Sequence, residues 1–155
     1  EKLPVREPFA WAAPSGGLPT VRAAQEYEAL RDAADAAAER PAVYLATIGA
    51  VARHTARSAF AGNLFQAGGL ATPSGDGASG LAEAGTTVAC ICGTDKDYAG
   101  TAAGLAAELK DAGATQVWLA GRPDLDVDGV DGYLFAGCDA LGVLRSAHEQ
   151  LGVQA

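Results

Sequence analysis

The sequence predicts an α/β protein of the flavodoxin-like kind, a three-layer sandwich around a five-stranded parallel sheet in the order 2-1-3-4-5. Short apolar runs of strand length alternate with amphipathic helical stretches along most of the chain. Strands reached through helix-sized crossovers lie parallel to their neighbours. The run Val88-Ala89-Cys90-Ile91-Cys92 is apolar throughout, as a central strand covered on both faces must be. A weak second strand then belongs at an edge, which selects the order 2-1-3-4-5.

Glu1 to Pro19 is rich in Pro, Gly and bulky apolar residues (Phe9, Trp11, Leu18) and has no periodicity. It reads as an extended linker that lies across something. Thr20 is suited to N-cap a helix, and Ala23, Tyr27, Leu30, Ala34 and Ala37 recur at helical spacing. Pro41 should end that helix near Arg40, because a residue before proline is pushed out of helical geometry. Its other face, with Glu26, Glu28, Arg31, Asp32, Asp35 and Glu39, is expected to be solvated.

Ala42 to Thr47 reads as the first strand, and Thr55 to Ala67 as a helix closed by Gly68-Gly69. Leu70-Ala71-Thr72 is a feeble second strand cut off by Pro73. Ser74 to Gly80 is then a loop of small residues, and Leu81 to Ala84 a brief helix. After the third strand, Tyr98, Ala102, Leu105, Leu109 and Ala112 mark a helix ending at Gly113. Gln116 to Ala120 and Tyr133 to Ala136 are the fourth and fifth strands, and Leu141, Leu144, His148 and Leu151 mark the last helix. The division expected is residues 1–39 as linker plus helix and residues 40–155 as the domain proper.

The 155 residues suit one domain, which buries about 70% of the surface it exposes unfolded. With 49% hydrophobic residues, the core needs no disulfide or metal staple. A formal charge of −8 and the lack of a basic stripe argue against a nucleic-acid partner. No apolar run approaches the ~20 residues needed to span a bilayer. The three cysteines, Cys90, Cys92 and Cys138, are odd in number and two share one apolar run, which predicts reduced thiols in the cytoplasm and no metal site. The chain contains no Met and opens on Glu1-Lys2-Leu3-Pro4, so it is expected to be a piece of a longer polypeptide.

In such sheets ligands bind beyond the carboxyl ends of the strands. Those loops read Ile48 to Arg57, Gly93 to Asp97, Gly121 to Asp124 and Gly137 to Asp139. A G-x-G-x-x-G occurs at Gly75 to Gly80, but it follows Pro73 and a weak strand, so it reads as a flexible loop and not a dinucleotide turn. A phosphoacceptor receiver needs an Asp closing a central strand. Here Asp95 and Asp97 come later and are expected to cap the next helix. His148 reads as a hydrogen-bonded core-edge histidine, and Cys90 and Cys92 as small core residues. No nucleophile-and-base arrangement is legible, so no catalytic residue is expected.

Three segments together resemble a known family. They are Ala46-Thr47-Ile48-Gly49 with His54 to Phe65, Ile91-Cys92-Gly93-Thr94-Asp95, and Asp131 to Leu141. They are similar to the C-terminal cobalamin-binding-type domain of methylmalonyl-CoA mutases, and most like the small subunit of the bacterial heterodimeric enzyme. The likeness runs from about Arg40 to Val153. It implies that residues 1–39 tether the domain to a TIM barrel and that a large catalytic subunit is the partner. That subunit would hold adenosylcobalamin and interconvert methylmalonyl-CoA and succinyl-CoA.

Cobalamin-binding members carry D-x-H-x-x-G in the first-strand loop, where the His coordinates cobalt and the Asp orients it. Aligned on Gly49, those positions hold Val51, Arg53 and Ala56. Shifted to use His54, they hold Ala52, His54 and Arg57. The family's S-x-L becomes Cys92-Gly93-Thr94, and its Gly-Gly becomes Ala120-Gly121. The resemblance therefore implies a degenerate domain that binds no cobalamin. The alternative is a functional cobalamin domain with His54 as the lower axial cobalt ligand. A second alternative is a free-standing flavodoxin-like sensor of small molecules.

Overall fold

Tyr44–Thr47 (β1), Ser74–Asp76 (β2), Val88–Cys92 (β3), Gln116–Ala120 (β4) and Gly132–Leu134 (β5) pair into one sheet. All neighbours are parallel and the order is β2-β1-β3-β4-β5, as expected, in a computed structural model that describes residues 18–153. The Phe9 and Trp11 linker expectation lies outside the described residues. The helices are Leu18–Ala36 (α1), Val51–Ala67 (α2), Leu81–Ala84 (α3), Asp95–Tyr98 (α4), Ala102–Asp111 (α5) and Ala140–Gln150 (α6).

Alternate strand residues feed two separate apolar layers, because successive side chains point to opposite faces. Leu45, Cys90, Cys92, Trp118 and Ala120 face Leu30 of α1, Phe65 of α2 and Leu144 of α6. Tyr44, Ala46, Ile91, Val117 and Leu119 face Leu81 of α3, Tyr98 of α4 and Leu105 of α5. This two-sided cover is why β3 can be apolar at every position, and all five of its residues are buried. Cys90 and Cys92 are free thiols in the first layer, and burial pushes Cys90 well above the ordinary thiol range.

α1 lies outside that first layer. Leu30 and Ala34 are buried, and Glu26 pairs with Arg145 of α6 at 2.7 Å. Gly69, at φ 82, lets the segment after α2 approach α1: a Cβ there would lie 2.9 Å from the Ala34 Cβ. The helix begins at Leu18, so Thr20 lies within it and is not its cap. It stops at Ala36, short of Arg40, where the core contact made by Leu30 and Ala34 has ended and the chain turns toward β1.

Other boundaries also differ from expectation, and the first strand starts at Tyr44 and not at Ala42. The second strand is Ser74–Asp76, and of Leu70-Ala71-Thr72 only Ala71 bridges Ala42. Leu70 is apolar because it is buried, whereas the true edge strand is positioned by backbone bonds such as Leu45 N–H to the Pro73 carbonyl at 2.8 Å. The helix expected across Tyr98 to Ala112 is two helices, separated at Gly100 with φ 79. The last strand starts one residue early at Gly132, where a Cβ would lie 2.2 Å from the Trp118 ring.

His148 is 2% exposed and lies 2.9 Å, through Nε2, from the Gly68 carbonyl, the hydrogen-bonded core position that its place on the apolar stripe implies. Asp139 caps α6 by accepting from Gly142 N–H at 3.1 Å. Among the described residues, no helix is long and apolar enough to cross a membrane.

Candidate functional site

The carboxyl ends of β1, β3, β4 and β5 lie along one edge of the sheet, the edge where open α/β sheets place their ligands. The first connection is short. Gly49 takes φ 83 and α2 begins at Val51, ahead of the expected Thr55, so Arg53 and His54 stand on the same helix as Arg57. Ala50 occupies the cap position without a capping side chain, which is why the sequence carries no start signal there.

His54 is half-buried in the second turn of α2, with its backbone N–H on the Ala50 carbonyl at 3.3 Å. Its Nδ1 is enclosed and has no hydrogen-bond partner among the described residues. Arg53 reaches across the rim to Asp97 Oδ1 at 3.1 Å, leaving the enclosed Asp97 Oδ2 without a partner. Thr94, not Asp95 or Asp97, caps α4: its hydroxyl accepts from Asp97 N–H at 3.2 Å. The two carboxylates stand in the first turn of α4, where they take the two arginines of α2.

Arg57 occupies the crevice above β3 and β4. Its Nη1 donates to the Ala120 carbonyl at 3.0 Å, and its Nη2 lies 2.6 Å from Asp95 Oδ1. The guanidinium carbon is 5.5 Å from the centroid of the Tyr98 ring, in reach of a cation–π contact. Burial works against the charge on Arg57, but hydrogen bonds with Asp95 and Tyr98 outweigh it and raise its pKa. Tyr98 completes the plug from the other face of the sheet. Its hydroxyl accepts from Gly93 N–H at 2.8 Å and donates to the Ala120 carbonyl at 2.7 Å. Gly121 is packed as tightly: a Cβ there would meet Leu125 at 2.7 Å and Arg57 at 3.3 Å.

Beside this plug the rim is open. A cleft of about 400 Å³ over the ends of β1 and β2 is lined by Thr47, Gly49, Asp76, Gly77, Gly104 and Glu108. A hollow of about 300 Å³ beyond Arg57 runs along Phe60, Leu134 and Phe135. A larger one, about 650 Å³, lies at the opposite edge of the sheet around Ala36, Arg40, Glu83 and Leu151, away from the carboxyl-end loops.

The G-x-G-x-x-G has a local explanation: of the loop expected over it, Ser74–Asp76 forms β2 and residues 77–80 form a turn. Gly75 belongs to β2, Gly77 turns at φ 63 and donates to the Thr47 carbonyl at 3.1 Å, and the Tyr44 hydroxyl donates to the Gly77 carbonyl at 2.8 Å. A Cβ at Gly75 or Gly80 would strike the Tyr44 hydroxyl at 2.6 or 2.8 Å. These two glycines make room for a phenol. Among the described residues, no cluster of His, Cys, Asp and Glu could hold a metal ion.

No family model matches the chain. It is 45% identical over 97% of its length to the methylmalonyl-CoA mutase small subunit of Streptomyces virginiae. It is 31% identical over 95% of its length to that of Propionibacterium freudenreichii subsp. shermanii, and 30% identical over 86% to that of Porphyromonas gingivalis. The chain spans about a quarter of the length of these relatives: 26%, 25% and 23% respectively. By this sustained identity across a shared segment, the chain belongs to the methylmalonyl-CoA mutase small-subunit family.

Proposed function

We propose that the chain is a non-catalytic domain of a cytoplasmic methylmalonyl-CoA mutase small subunit and binds no cobalamin itself. Adenosylcobalamin and the isomerisation of methylmalonyl-CoA belong, in this reading, to a large partner subunit in a heterodimer. The domain is joined to a TIM barrel of its own polypeptide and serves the assembly structurally.

The observation that carries the reading is Arg57. In the register that uses His54, it stands where cobalamin-binding members have the glycine that admits the corrin tail. Its guanidinium is tied to the Ala120 carbonyl, to Asp95 and to the Tyr98 ring. A tail entering here would have to displace a charge-assisted hydrogen bond and an ion pair before gaining any contact. The residues present do not fit the cofactor in a second respect. A metal-ligating imidazole normally donates its other N–H to an acceptor that fixes its orientation. The enclosed Nδ1 of His54 has none among the described residues, and Ala52 stands where the orienting Asp would be.

Titration of the chain with hydroxocobalamin, beside His54→Ala and Arg57→Gly, tests the reading by visible absorbance. The expected result for the unaltered chain is no spectral change and no corrin retained after gel filtration. A shift that disappears in His54→Ala, with stoichiometric retention, would make this a cobalamin carrier with His54 as the lower ligand.

A further inference from the structure

Among the described residues the exposed large hydrophobics are Val51, at 71%, and Phe60, at 37%, and both stand on α2. The exposed positions around them are Ala52, Thr55, Ala56, Ala59 and Asn63. α2 contains no carboxylate, and its one charged residue on the exposed side, Arg53, is held by Asp97. The other long helix differs. α1 exposes Glu28, Arg31, Asp32 and Asp35 to solvent. An amphipathic helix on the surface of a domain normally turns charge outward. α2 turns outward a row of alanines with a Val and a Phe, and the row continues past Phe60 into the hollow lined by Leu134 and Phe135. The helix is 17 residues long, roughly 25 Å at 1.5 Å per residue, so the face is long enough to seat another helix.

We infer that the outer face of α2 is a docking surface, and that its occupant is the remainder of the same small-subunit polypeptide. The inference rests on the small-subunit reading above. The chain spans 26% of its Streptomyces virginiae relative, so most of such a polypeptide lies outside the domain and is held beside it at high effective concentration by the chain itself. The character of the face selects a permanent contact over a transient one. Interfaces of obligate assemblies resemble a core cut in half and are depleted of charge, whereas interfaces that open and close are more polar. Alanines at Ala52, Ala56 and Ala59 allow close approach of a second backbone, and Phe60 supplies an aromatic anchor.

The experiment reads the solvent access of the face. Ala52→Cys and Ala59→Cys are made singly, in a Cys138→Ser background, in this chain and at the matching positions of the full-length Streptomyces virginiae small subunit. Maleimide labelling rates are normalised to the same protein in urea. The expected result is fast labelling in the chain alone and at least ten-fold slower labelling in the full-length small subunit without its partner. Equal rates in those two samples overturn the inference, including the case in which only added large subunit slows them, since the occupant would then be the partner. Slow labelling already in the chain alone also overturns it, because the face would be covered by its own residues or by a second copy. Association with the large subunit is followed by gel filtration in the same preparations. A full-length relative that labels slowly but never associates would leave the docking face intact and withdraw the support that its likeness gives to the small-subunit reading.

Discussion

Two stretches of the same rim have been built in opposite ways. Above β3 and β4 the crevice is filled by Arg57 and Tyr98, which share the Ala120 carbonyl from opposite faces of the sheet. Above β1 and β2 the rim is lined by Gly49, Gly77 and Gly104 and left open, with Asp76 and Glu108 at its sides. The filled stretch consists of groups whose hydrogen bonds are made within the chain. The open stretch lacks side chains to fill it and has carboxylates that would repel an anionic ligand. The rim is thus closed by construction above β3 and β4. Where it stays open, it offers no convergent set of donors.

If the filled stretch is structural, breaking it should cost stability, and Tyr98→Phe is the largest such break. Removing the hydroxyl leaves the Gly93 N–H without its partner in a buried place and takes one donor from the Ala120 carbonyl. An unsatisfied buried backbone group costs about 1–3 kcal/mol, and with the weakened carbonyl the expected loss is about 2–3 kcal/mol. Urea unfolding checks it, as a lowered midpoint with an unchanged slope. A loss below about 0.5 kcal/mol would mean that the hydroxyl is replaceable by water and the crevice is not sealed.

The same burial makes stability fall in alkali. Burial raises the Tyr98 hydroxyl above its ordinary value of 10.0, although hydrogen bonds from Arg57 and Gly93 pull the other way. Burial likewise raises the Cys90 thiol above 9.0. The unfolded chain releases these protons at the ordinary values while the folded chain keeps them, so the native state binds more protons in that window. Stability is therefore fully present below about pH 9 and is lost progressively as pH rises. Urea midpoints measured from pH 7 to pH 11 should show this decline, and Cys90→Ala should delay its onset toward pH 10. A flat profile would contradict the burial of both groups.

What could be read from the residues, and what could not, follows the same division. The strand order is legible because β3 and β4 are buried on both faces: β3 is apolar at every position, and β4 is apolar from Val117 to Ala120 after the buried Gln116. The edge strand is not legible because Ser74, Gly75 and Asp76 are held by backbone pairing with β1, which leaves no mark in residue type. The start of α2 is not legible because Ala50 caps without a side chain, so Arg53 and His54 read as loop residues although they belong to the helix that carries Arg57. Arg57 was legible as an obstruction, but its partners were not. Asp95 and Asp97 looked like helix caps, and only the folded rim brings them to Arg57 and Arg53 from 38 and 44 positions away.

Arg57→Met keeps the bulk of the plug and removes its charge, which separates filling from pairing. The bond to Ala120 is lost, but Tyr98 still satisfies that carbonyl, and Asp95 is exposed enough that its ion pair is worth little. The expected loss is about 1 kcal/mol, measured by urea unfolding. Hydroxocobalamin should still not be retained, because His54 gains no orienting partner. Retention by this variant, and not by the unaltered chain, would locate the obstruction in the charge alone.

The smallest effects belong to the open stretch, and two glycines there separate free space from backbone demand. A Cβ at Gly104 or at Gly77 would meet nothing within 4 Å, so either change puts one methyl into the same cleft. Gly104 lies inside α5, where alanine is the better helix former, and Gly104→Ala should stabilise by up to about 1 kcal/mol. Gly77 turns at φ 63, and Gly77→Ala should destabilise by about 1 kcal/mol through its backbone alone. Thermal unfolding of the two variants should therefore move in opposite directions. A common direction would mean that the methyl itself matters, and that the cleft is closed by neighbours that the glycines keep apart.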